Sequence, residues 1–97
     1  MGVVRDVLMT LVRHPDWTKV EQEAIEQELD IPVADYEEEE DGYFMARYDR
    51  VKAVAAALRH LIKAGHATGA VEVVEKVNLQ LIGVKITQAG RAHAKGL

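Results

Sequence analysis

The chain contains no cysteine and no serine. Disulfides, cysteine metal sites and the usual serine or cysteine nucleophiles are therefore excluded. Uncharged apolar runs are short, and none approaches the roughly 20 residues that a membrane-spanning helix needs. The charge pair Arg5 and Asp6 follows the N-terminus too closely to leave room for a signal-peptide core. We therefore expect a cytoplasmic protein that does not enter a membrane.

Aromatic residues are also scarce, at 5% of the 97 residues, whereas 48% are hydrophobic and 29% are charged. The mean hydropathy of −0.11 is typical of a globular protein rather than a disordered one. This length predicts a single domain over residues 1–97. A domain of this size buries only about 60–65% of its unfolded surface, so association with a second copy would add useful buried area.

Negative charge is concentrated in the first half of the chain. Residues 1–48 have 13 acidic and 4 basic side chains, a net charge of −9, whereas residues 49–97 have 8 basic and 3 acidic ones, a net charge of +5. Six of the seven positions from Asp35 to Asp41 are acidic. Their mutual repulsion predicts an extended acidic loop over about residues 33–42. The asymmetry predicts an acidic face and a basic face with different partners.

Apolar residues with helical spacing predict three main helices. The first covers residues 3–13 and ends before Pro15. The second covers residues 18–29 and begins with a capping box formed by Thr18 and Glu21.

The third helix, from about residue 50 to residue 64, has the clearest apolar stripe. Asp49 is its predicted N-cap, and Gly65 suits the left-handed position that ends a helix. The aromatic-rich residues 43–48 just before it are interpreted as a short strand.

The pattern after Gly65 changes to the alternation that is typical of strands. The alternating apolar pattern of residues 71–86 predicts a β-hairpin with its tip near residues 76–78. Gly83 predicts a bulge or a close approach of two backbones. Thr87 is the predicted N-cap of a short C-terminal helix over residues 88–95.

Three helices followed by a hairpin, together with the leucine-rich end of the third helix and the run Ile86-Thr87-Gln88-Ala89-Gly90-Arg91, resemble a winged helix-turn-helix domain of bacterial and phage regulators. The resemblance covers about half of the chain. It implies an α+β, mainly α, fold of three main helices, a hairpin wing and a short last helix. The segment between the second and third helices exceeds the usual turn of three or four residues. Either that segment is an insertion, or helix 18–29 is not the usual positioning helix.

The same resemblance implies a small DNA-binding protein, either a transcriptional regulator or a phage-type accessory factor. Helix 50–63 would enter the major groove, and the wing 71–86 would contact phosphates. The residues that we expect to contact DNA are the cationic or polar side chains of these two elements and of the segment just before the helix: Arg47, Tyr48, Arg50, Lys52, Arg59, Lys76 and Lys85. Lys63 is a further cation of the same helix.

A second hypothesis is a protein–protein interaction module, in which the acidic half of the chain faces a basic protein partner. For the DNA-binding protein we expect a homodimer that is formed through helices 3–13 and 88–95. The four histidines have no metal-binding spacing, and no glycine-rich phosphate loop is present. We therefore expect no metal, no cofactor and no enzymatic activity.

Overall fold

A computed structural model describes residues 2–32 and 41–97. These residues form an α+β, mainly helical fold of four α-helices and one two-stranded antiparallel hairpin. The elements are α1 (Val3–Arg13), a 3-10 turn (Trp17–Lys19), α2 (Gln22–Glu28), α3 (Asp41–Lys63), β1 (Ala67–Val74), β2 (Asn78–Ile86) and α4 (Gln88–Lys95).

The core forms where α1, α3 and the inner face of the hairpin meet. Val7, Leu8 and Leu11 of α1 are buried, which confirms the first predicted helix. Trp17 adds its indole to the same core. No helix in residues 2–32 and 41–97 combines the length and the apolar character that crossing a bilayer requires.

The segment before α2 differs from the prediction of one helix over residues 18–29. Residues 17–19 form a 3-10 turn, and the chain is extended at Glu21 before α2 begins at Gln22. The predicted capping box is wrong because the Thr18 hydroxyl donates to the carboxylate of Asp16 instead. The same carboxylate accepts a hydrogen bond from the Thr18 amide at 3.0 Å, so Asp16 caps the turn.

Helix α3 is much longer than predicted. Residues 41–63 form one continuous helix of 23 residues, so the strand predicted at residues 43–48 is wrong. Asp49 lies inside this helix and is not its N-cap. The physical reason is that Arg47 is buried in line with Val51 and Val54, which extends the buried helical stripe toward the N-terminus.

The end of α3 agrees with the prediction, because Gly65 has a left-handed φ of 81°. The acidic loop predicted at residues 33–42 lies outside the described residues except for Asp41 and Gly42, which belong to α3.

The hairpin begins four residues earlier than predicted, at Ala67, and its strands pair from Ala67↔Ile86 to Val74↔Asn78. Its register shifts between Thr68 and Ala70, beside Gly69 and Gly83. A Cβ atom on Gly69 would lie 2.5 Å from the backbone oxygen of Ile82. The bulge, one of the two alternatives expected at Gly83, is therefore confirmed, whereas the close approach of two backbones occurs at Gly69.

The strand β2 also pairs with the segment between α1 and α2. Asp16 and Lys85 form an isolated antiparallel bridge, and the Ile86 amide donates to the Pro15 carbonyl at 2.9 Å. The two-stranded sheet is thereby extended by a short third segment. This contact fixes the hairpin relative to α1.

Helix α4 is anchored to the turn between α3 and β1. Thr87 accepts a hydrogen bond from the Gly90 amide at 3.0 Å, which confirms the predicted N-cap. The Thr87 hydroxyl also donates to the Gly65 carbonyl at 2.7 Å. Gly90 is buried against the carbonyl of His66, where a Cβ atom would lie 2.1 Å from the oxygen. The imidazole rings of His66 and His93 stack at 4.4 Å between centroids.

Candidate nucleic-acid interface

The outward face of α3 carries a line of three exposed cations, which we call the basic stripe: Lys52, Arg59 and Lys63. At 100° per residue their directions fall within about 40° around the helix axis. They extend over about 16 Å of the helix, at 1.5 Å per residue. Exposed Ala56 lies between them, and exposed Asp49 precedes Lys52 by three residues on the helix. The structure therefore brings these three cations onto one accessible surface.

Arg59 connects the basic stripe with the hairpin. Its Nη2 atom donates to the carbonyl oxygen of Val71 in β1 at 3.4 Å. The side chain nevertheless remains exposed, and a guanidinium has five N–H donors. The contact orients the guanidinium and leaves it accessible to a ligand.

Arg47, in contrast, is used inside the protein. Its Nη1 atom lies 2.7 Å from Oε1 of Glu26 and donates to the carbonyl oxygen of Pro32, also at 2.7 Å. The two side chains of this ion pair are only 11% and 10% exposed. The pair joins α2 to α3, so Arg47 is unavailable to a phosphate while this contact persists.

Arg50 has a similar structural role on the neighbouring turn of α3. Its Nε atom donates to the carbonyl of Leu29 at 2.6 Å, and its Nη2 atom lies 3.8 Å from the carboxylate of Asp6. It therefore satisfies a carbonyl at the C-terminal end of α2. Tyr48 is half-buried. Neither Arg50 nor Tyr48 belongs to the basic stripe.

The hairpin has a balanced charge rather than a basic one. Lys76 lies in the turn, next to Glu75, and both residues have left-handed backbone angles. Lys85 lies at the other end of the hairpin, where its Nζ atom is 3.9 Å from the Asp16 carboxylate. Glu72 is exposed on β1. The two wing lysines are thus far apart along the hairpin, and each has an acidic neighbour.

Two carboxylates near α1 have perturbed titration. The hydrogen bond from Thr18 lowers the pKa of Asp16 below its usual value, and the charge of Lys85 acts in the same direction. The hydrogen bond from Arg13 lowers the pKa of Glu28, whose carboxylate also contacts His14. The charged form is thus favoured chiefly by the Thr18 hydrogen bond at Asp16 and by Arg13 at Glu28, as is typical of structural hydrogen bonds and ion pairs.

An open cleft of about 380 Å³ lies between α1, the end of α2 and α3. Its charged lining consists of three arginines and three carboxylates: Arg5, Arg13, Arg50, Asp6, Glu28 and Asp30. Several of these side chains already pair with one another. In the part of the chain that the structure describes, no group of three or more histidine, aspartate or glutamate side chains is placed to bind a metal ion.

Of the basic stripe, Lys52 and Arg59 were among the predicted DNA contacts, whereas Lys63 was noted only as a cation of the same helix. The internal partners of Arg47 and Arg50 were not predicted. Glu26 and Leu29 each lie 21 residues before the arginine that they contact. No spacing rule connects residues that far apart, so only the packed structure separates these two arginines from the others.

Comparisons of the chain with protein-family models, with curated proteins and with solved structures give no match in any of the three.

Proposed function

We propose that the chain is a small winged-helix protein that binds duplex DNA, with α3 as its recognition helix and the hairpin as its wing. The order of helices and strands supports this fold. The fold alone does not establish a function, so the proposal depends on the surface of α3.

The observation that carries the proposal is the basic stripe itself. Lys52, Arg59 and Lys63 are exposed along one line of a helix, and a major groove about 12 Å wide admits a helix of this kind. Arginine suits base edges and phosphates alike because its donors form a planar fork. The two lysines on either side of Arg59 are suited to phosphate contacts that position the helix.

The wing has a smaller role in this proposal than the sequence indicates. Lys76 alone lies at the tip of the hairpin, and Glu75 beside it offsets its charge. We therefore assign DNA contact mainly to α3, and we place Lys76 at the edge of the contact surface. Arg47 and Arg50 support the helix from behind by attaching it to α2.

Fluorescence anisotropy with a labelled duplex at 50 and 200 mM salt tests the proposal. Three phosphate contacts predict a slope of about −2.7 for log K against log salt, which is about a 40-fold loss of affinity over this range. Lys52→Gln and Lys63→Gln should each make the slope shallower by about 0.9. Lys19→Gln removes an exposed lysine from the 3-10 turn and is the matched control, which should leave the slope unchanged. Absence of binding at 50 mM salt would overturn the proposal.

The second candidate is a protein–protein interaction module that presents an acidic surface to a basic partner. Exposed Glu21 and Glu23 at the start of α2 favour it, as does the acidic composition of residues 35–41. Titration with a labelled deca-lysine peptide distinguishes the two candidates. Glutamine at Glu37 to Glu40 should abolish peptide binding in the interaction module. In the DNA-binding protein the same change should leave affinity for the duplex unchanged or increased.

A further inference from the structure

A second surface, on the α1 and α4 side of the molecule, has the features of a binding groove. It is an open groove of about 350 Å³ whose lining residues are Met9, Val12, Arg91, Ala94 and Lys95. The three apolar side chains are each only partly buried. They form an apolar floor between two packed helices, which is the shape that a partner helix occupies in helix-in-groove recognition.

Among the residues that the structure describes, the charged side chains that line this groove have one sign. Both charged lining residues are cations, and they are exposed on α4. Arg91 and Lys95 are four residues apart, so they lie one above the other on the same face, about 6 Å apart along the helix.

We propose that this groove binds an amphipathic helix with acidic flanks from another protein. Its apolar side chains would pack on Met9, Val12 and Ala94. Two carboxylates one turn apart on the partner would face Arg91 and Lys95, because the pitch of an α-helix matches the spacing of the two cations. Electrostatic complementarity of this kind selects the partner by charge. This binding function is independent of the DNA-binding function of α3.

The charge pattern distinguishes such a partner from a second copy of the chain. In a symmetric dimer each patch meets its own equivalent. Arg91 and Lys95 of both copies would then lie in one interface, and none of the lining residues that the structure describes is acidic. A homodimer through α1 and α4 would thus bring like charges together, whereas an acidic helix neutralises them.

Methyl NMR on the full-length chain tests the proposal with two synthetic peptides of equal length. Both carry leucines with helical spacing; one has glutamates and the other has lysines at the flanking positions. We expect the acidic peptide to shift the methyl signals of Met9, Val12 and Ala94 and to bind at least about tenfold tighter than the basic one. Arg91→Glu combined with Lys95→Glu should reverse this preference.

The matched control combines Lys19→Glu with Lys76→Glu, which changes the net charge equally but away from the groove. This control should keep the preference for the acidic peptide. If the variant with glutamate at both positions does not fold, Arg91→Gln combined with Lys95→Gln takes its place, because this change removes the two positive charges without reversing them. Equal binding of both peptides, no binding of either, or association of the chain with itself through the groove methyls would overturn the proposal. Binding to vesicles that contain phosphatidylserine in place of the acidic peptide would also overturn it.

Discussion

Replacement of Arg47 by leucine tests whether this arginine supports the fold or contacts DNA. In the structure its guanidinium pairs with Glu26 at 2.7 Å and donates to the Pro32 carbonyl at 2.7 Å. Leucine fills a similar volume but supplies neither contact. The change would leave the Glu26 carboxylate without its cation in a mostly buried position, where an unpaired charge is unfavourable.

The expected loss of stability is large. Removal of one partner from a buried ion pair costs about 3–5 kcal/mol. Because each side chain keeps about a tenth of its surface exposed, we expect the lower end of this range, about 3 kcal/mol. In a domain of this size such a loss lowers Tm by about 12–24 °C. The combined change Glu26→Leu with Arg47→Leu should cost less than the sum of the two single changes, because no charge then remains unpaired.

Urea unfolding followed by far-ultraviolet circular dichroism measures these losses. Arg59→Leu is the matched control on the same helix, because Arg59 is exposed and its one hydrogen bond is long, at 3.4 Å. It should cost less than about 1 kcal/mol. The two variants should have the opposite order of effects on DNA binding. Arg59→Leu should make the salt dependence of duplex affinity shallower, and Arg47→Leu should leave it unchanged. A loss below about 1 kcal/mol for Arg47→Leu would refute the structural role.

Further predictions concern the glycines and the acid stability. Gly90→Ala should destabilise the protein by about 2 kcal/mol or more, because its Cβ would overlap a backbone oxygen of the α3–β1 turn; hydrogen exchange should show loss of protection in α4. In urea unfolding, Gly69→Ala should lower the free energy of unfolding more than Gly83→Ala does. Both positions have positive φ, but only the former would also press a Cβ against the facing strand. Equal losses would contradict this explanation. The lowered pKa values of Asp16 and Glu28 mean that the unfolded chain binds more protons than the folded one in acid. Stability is therefore retained above the ordinary carboxylate pKa values and lost as pH falls below them; Glu28→Gln should flatten this loss in acid titrations.

Local sequence signals predicted the elements whose ends are fixed by local contacts. The stop of α1 before Pro15, the left-handed Gly65 after α3 and the Thr87 cap of α4 all depend on residues within one turn. The bulge at Gly83 places this glycine at a positive φ of 59°, a backbone conformation that favours glycine. These signals are short-range, so a single sequence contains them.

Other predictions failed where a distant contact overrides local preference, whereas the capping box at Thr18 failed because of the local contact with Asp16. Residues 43–48 are rich in aromatic side chains, which favour strands, but burial of Arg47 against Glu26 stabilises a helix there. Helical spacing did identify Lys52 and Arg59 as exposed positions, because exposure along a long helix follows the helical period. It could not identify Arg50 as a residue that binds the end of α2, since that contact depends on tertiary packing.

The most direct test of DNA binding through the basic stripe is the salt dependence of duplex affinity in the wild type and in a variant with glutamine at Lys52, Arg59 and Lys63. The proposal predicts a slope of about −2.7 for the wild type and a slope near zero for the triple variant, with the variant still folded by circular dichroism. An unchanged slope in a folded triple variant would contradict the proposal, because the phosphates would then be held by another surface.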